Sequence, residues 1–200
     1  MTQQENQNVF RVSLVLAPLL MLVSGFFWVN GEYGVTGGTI LILSTIFWIV
    51  SMVYLFGLLK TKMPRLAQWG LLMSVFGFIS GGLFGFVGVM SEIFDISHQA
   101  YIERFEKYPV STGLLLFWSG PLAPLSILLL GILFFKTKTT KPWVAVMIII
   151  GAIAFPVSRI SRNEWLAHIS DILLLVPLLY LAIQNFSQKK STEKLYGVYP

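Results

Sequence analysis

Between Ser158 and Asp171 the chain gathers Arg159, Arg162, Asn163, Glu164, His168 and Asp171 at the junction of two apolar runs. Arginine holds carboxylate and phosphate groups through a planar fork of donors. Histidine and a buried carboxylate can exchange a proton. Glu164, His168 and Asp171 are spaced i, i+4 and i+7, which on a helix puts all three on one face. At about 1.5 Å per residue Asp171 lies roughly 9 Å inward of Trp165, an interface-type residue, so a lipid-facing carboxylate would be costly and the face should turn towards protein.

Two readings of this cluster stand side by side. In one, Arg159 or Arg162 pairs with Asp171 and Glu164 while His168 bridges them, a polar staple between two helices with near-zero net charge. In the other it is an outward-facing pocket, in which an arginine engages a small anionic solute or lipid headgroup while Asp171 and His168 handle a proton. The ligand-binding set expected on this second reading is Arg159, Arg162, Glu164, His168, Asp171 and His98.

His98 enters through the segment 91–109. There Phe94, His98, Tyr101, Phe105 and Tyr108 recur at helical spacing and predict an amphipathic helix with one aromatic stripe. Such a helix lies on the outer membrane interface, or covers a pocket as a lid with His98 inward. A weaker candidate is WSGPLAPL, where Gly120, Pro121 and Pro124 should break a helix and free carbonyls beside Ser119.

Other chemistry is poorly supplied. With no Cys and two His there is no disulfide framework, no thiol nucleophile and few soft metal ligands, so neither metal nor cofactor is expected. No phosphate loop, zinc-protease or nucleophile-elbow pattern occurs. An intramembrane enzyme acting on a lipid-like substrate through Glu164, His168 and Asp171 is a third-ranked reading, behind a structural or regulatory subunit.

These residues must be positioned by membrane helices. The chain is 56% hydrophobic and 12% charged, against about 25% charged in soluble domains. Its apolar runs reach the ~20 residues that cross a bilayer as helix, without the alternation of barrel strands. The sequence predicts an all-α integral membrane protein, a single domain over 1–200, with six transmembrane helices near 12–30, 36–59, 66–90, 110–135, 143–160 and 165–185. Helix 5 is short and carries Pro156, so a re-entrant half-helix is the alternative there.

Of the fourteen basic residues, ten (Arg11, Lys60, Lys62, Arg65, Lys136, Lys138, Lys141, Lys189, Lys190 and Lys194) fall at one end of the helices. The remaining four, Arg104, Lys107, Arg159 and Arg162, fall at the other. This asymmetry predicts cytoplasmic N and C termini in a cell membrane, with short loops suited to a bacterial plasma membrane. The net charge of +5 is thereby assigned to topology and not to nucleic acid. In the third helix Gly77, Gly81 and Gly85 form two small-xxx-small steps, which serve close packing within the chain or, alternatively, a homo-oligomer or membrane-protein partner. The functional expectation is a non-enzymatic protein that binds or transports a small solute or lipid between helices 5 and 6.

Overall fold

The structure, a computed structural model, describes the backbone of residues 3–29 and 31–196, and side chains for 7–29, 31–97 and 99–184. Among the described residues the regular structure is helical apart from one small hairpin. In chain order the elements are α1 (Gln3–Gly25), strands β1 (Trp28–Val29) and β2 (Glu32–Tyr33), α2 (Val35–Gly57), α3 (Pro64–Ile93), α4 (His98–Phe105) and α5 (Pro109–Thr112). A π-helical turn (Gly113–Phe117), α6 (Leu122–Thr137), α7 (Pro142–Ile160) and α8 (Glu164–Tyr196) complete it.

Among the described residues, six helical segments are long and apolar enough to cross a membrane: Gln7–Gly25, Val35–Gly57, Pro64–Ile93, the composite Pro109–Thr137, Pro142–Ile160 and Glu164–Gln184. A chain built this way is a multi-pass membrane protein. The fifth segment is one continuous helix of 19 residues, about 28 Å long, despite Pro156.

Each segment packs on the next, α1 on α2, α2 on α3, α3 on α6, α6 on α7 and α7 on α8, and α8 closes the ring against α1. Leu14, Ala17, Trp48, Leu130, Ile148, Leu174 and Leu178 fill the middle. Their opposite faces are apolar and exposed, as lipid-facing surfaces are. Hydroxyls inside the ring are mostly satisfied by the preceding turn of their own helix: Ser74 donates to Leu71 O, Ser126 to Ala123 O and Ser170 to Ala167 O, all at 2.7–2.8 Å.

The glycine face of α3 is used within the chain. Gly77 lies directly against the Ala123 backbone of α6, Gly85 faces Gly38 and Leu41 of α2, and Gly81 looks at Thr45 from an ordinary contact distance of 3.5 Å. The connections at 58–63 and 138–141 share one end, where Lys62 Nζ donates to Thr137 O at 2.9 Å. Arg11 is buried near that end; the side chains of Lys189, Lys190 and Lys194 lie outside the described residues.

Three expected boundaries move. The first helix stops at Gly25, not near residue 30, because Trp28↔Tyr33 and Val29↔Glu32 pair across a tight turn at Gly31, whose φ is +84°. The fourth helix is broken, as WSGPLAPL implied, but upstream of its prolines as well. Trp118 N reaches back five residues to Gly113 O, and Leu116 O accepts the Ser80 hydroxyl of α3 at 3.1 Å. The segment 91–109 forms no single amphipathic helix. α3 runs on to Ile93, Asp95 reverses the chain at φ +50°, and only His98–Phe105 is helical, with Ser97 as its N-cap. Phe94 and Tyr108 therefore leave the stripe, while Tyr101 and Phe105 keep ring contact at 5.7 Å.

Candidate functional site

At the end of the ring opposite Lys62, α7 and α8 form a hairpin whose turn is read directly from the sequence. Arg162 adopts a left-handed conformation (φ +51°) that ends α7, and Asn163 Oδ1 then accepts Leu166 N–H at 2.9 Å to cap α8. Removing that cap with Asn163→Ala should cost about 1 kcal/mol in thermal unfolding of the full chain, with no change in helix content.

The hairpin brings Arg159 to Asp171, with Nη2 3.3 Å from Oδ2. The Asp171 side chain is 0% exposed and that of Arg159 18%. The Arg159 guanidinium also lies over the Trp28 ring, 4.6 Å from its centroid, and over Phe155 at 5.1 Å. His168 sits one turn above Asp171, stacked on Phe26 at 4.4 Å. Gly25 faces both, since a Cβ there would stand 3.3 Å from the His168 ring and 3.4 Å from Asp171 Oδ2.

The roof over Arg159 is the β1–β2 hairpin. Trp28 is buried and Tyr33 reaches inward towards Ser24, whose hydroxyl donates to Met21 O at 2.7 Å. The hairpin is pressed onto α3 by the close approach of the Tyr33 carbonyl to Gly88, and Glu92 accepts the Val35 N–H that opens α2. Arg162 supports it from below, its side chain lying along Gly31.

Burial, the largest influence, raises the Tyr33 phenol above 10; Asp171 adds to this, while Arg159 and Ser24 oppose it. A phenol whose folded value is raised contributes stability below its unfolded value, and that contribution fades as pH climbs through the folded one. In a tyrosinate absorbance titration, Tyr33 should therefore ionise late, above pH 10, and Tyr33→Phe should remove that late step.

Of the six residues expected to bind ligand, Arg159, His168 and Asp171 come together. Arg162 is exposed and sits on the rim against the hairpin. Glu164 is exposed in the first turn of α8, where its charge suits the helix N-terminus and is not joined to the buried pair. His98 opens α4, which takes no part in the extensive helix interfaces, and its side chain lies outside the described residues. The structure adds Trp28, Tyr33, Ser24, Gly25 and Phe26, which sequence reasoning missed. One signal for them was available, because the Asn30-Gly31 dipeptide between Trp28-Val29 and Glu32-Tyr33 is a strong short-range hairpin pattern.

The cluster is only half satisfied. Among the described residues, six buried side-chain polar atoms have no hydrogen-bond partner, and three of them are here: Arg159 Nη1, Asp171 Oδ1 and His168 Nδ1. The others are Trp48 Nε1, Ser51 Oγ and Ser119 Oγ, the last beside the broken span. No group of three or more His, Cys, Asp or Glu side chains gathers to hold a metal ion among the described residues. In comparisons with known proteins the chain matches no family model, no curated protein and no solved structure.

Proposed function

We propose that this chain binds a small polar ligand, an anionic solute or a lipid headgroup, in an outward-facing site between α7 and α8 roofed by the β1–β2 hairpin. Its termini are cytoplasmic on this reading, as the ten-to-four distribution of basic residues favours. Binding there is the recognition step of transport or sensing and calls for no covalent chemistry.

The observation that carries the reading is the half-satisfied network. A staple that only held two helices together would close on itself, because an unpaired buried polar atom costs about 1–3 kcal/mol. Here a guanidinium donor, a carboxylate acceptor and an imidazole nitrogen are left over around one ion pair. A ligand offering both an acceptor and a donor completes all three. Arginine is suited to the anionic part, and the Trp28 and Phe155 faces hold it in place without using its remaining N–H groups.

The test is a density map of the full chain purified with its native lipid, at a resolution that separates waters. Density bridging Arg159 Nη1, Asp171 Oδ1 and His168 Nδ1, larger than water, is the expected result. The three atoms turned onto one another, or onto protein groups, with no intervening space would make the cluster a staple and end this reading.

A further inference from the structure

The site lies directly behind a seam in the helix ring. α1 and α8 meet there at Gly25, the one residue of α1 whose lack of a side chain lets His168 and Asp171 pack directly against the α1 backbone. What stands outside that seam is apolar and uncovered. Phe26, stacked on His168, is 67% exposed. On α8, Trp165 (81% exposed), Ile169 and Ile172 are exposed at the same i, i+4, i+7 spacing as Glu164, His168 and Asp171, displaced by one residue. One residue is about 100° of helix rotation, so an apolar stripe runs beside the polar face along its whole length.

A ligand that meets both stripes must be amphiphilic. Its headgroup must supply an acceptor for Arg159 Nη1 and a donor for Asp171 Oδ1, the two groups of opposite charge left incompletely bonded. We propose that the occupant is a phospholipid whose headgroup carries both a phosphate and an ammonium donor, entering sideways between α1 and α8. The phosphate lies on Arg159, the ammonium on Asp171, and an acyl chain runs down Trp165, Ile169 and Ile172. The zwitterion matches a site whose own ion pair is already neutral, and a headgroup without a donor leaves the Asp171 oxygen bare. This inference rests on the reading of the cluster as a binding site and specifies the ligand class.

The test is thermal unfolding of the full chain in detergent micelles with three probes: dioleoyl phosphatidylethanolamine, dioleoyl phosphatidylcholine and soluble phosphoethanolamine. Phosphatidylethanolamine at a hundredfold excess over its Kd should raise the midpoint by about 5 °C or more, and phosphatidylcholine by less than half as much. Phosphoethanolamine alone should give no shift at millimolar concentration. Asp171→Asn should erase the difference between the two lipids. Should that variant not fold, Trp165→Ala, on a surface side chain, should weaken phosphatidylethanolamine binding at least several-fold. Equal shifts from both lipids would overturn the donor-bearing headgroup. A shift from phosphoethanolamine that matches the lipid would overturn the lipid while leaving the binding site intact, and no shift from any probe would overturn the proposal, with the density map then deciding the broader reading.

Discussion

Arg159→Met is expected to destabilise the protein by about 3–5 kcal/mol, and Asp171→Asn in the same chain to restore most of that loss. The reason is the asymmetry of burial. Asp171 has no exposed side-chain surface, and among the described residues its one charged partner is the Arg159 guanidinium at 3.3 Å. Without it the carboxylate stays in a region of low dielectric with neither solvent nor counter-charge. The reverse substitution is milder. Asp171→Asn leaves Arg159 partly exposed and resting on Trp28 and Phe155, so its cost should be nearer 1–3 kcal/mol. Denaturant or thermal unfolding of the four members of this cycle in one detergent measures both terms. Equal costs for the two single variants would mean that Asp171 is not the buried, dependent member of the pair.

That pair was within reach of the sequence, and the rest of the site was not, for physical reasons. Arg159 and Asp171 lie twelve residues apart on consecutive apolar segments, so a helical hairpin has to bring their ends together. An ionisable residue at membrane depth demands a partner, and the candidates were few. Arg162 and Glu164 looked equivalent to them on spacing alone. The difference lies in the turn: Arg162 takes the left-handed position that ends α7 and Glu164 begins α8, and both places face outward. A spacing rule assumes a helix continuing through the residues it relates, and here one helix stops between them.

The roof was harder still. Trp28 meets Arg159 across more than half the chain, and two-residue strands have no periodicity to detect. Only the turn chemistry at Gly31 marks them. The same limit acted on the segment 91–109, where a good aromatic stripe was interrupted by a backbone reversal at Asp95 that hydrophobic spacing does not register. Periodicity reports long, regular elements well, and all six apolar segments came out in the right order. It is silent about the short irregular pieces, and in this protein one of those pieces covers the Arg159–Asp171 pair.

The second large effect concerns α3, where pattern and structure part company within a single motif. Gly77 and Gly81 form one small-xxx-small step, yet their surroundings differ completely. A Cβ on Gly77 would fall onto the backbone of Ala123, in the first turn of α6 just past the break in the fourth span, and backbone cannot move aside as a side-chain end can. Gly77→Val must force α3 and α6 apart and should cost about 3 kcal/mol or more, read as a lowered unfolding midpoint and loss of folded protein on purification. A Cβ on Gly81 would meet only Thr45 Cγ2, at 3.5 Å. Gly81→Ala adds no clash and removes the backbone freedom that glycine brings to a helix, so it should be neutral or stabilising by about 0.5–1 kcal/mol. The contrast also decides what the glycine face is for. Opposite signs at the two positions are what packing within one chain requires. If Gly81→Ala were instead the more damaging change, and shifted the oligomeric state, the half-exposed edge of that face would be meeting a second protein, and the tight crossing at Gly77 would serve to present it.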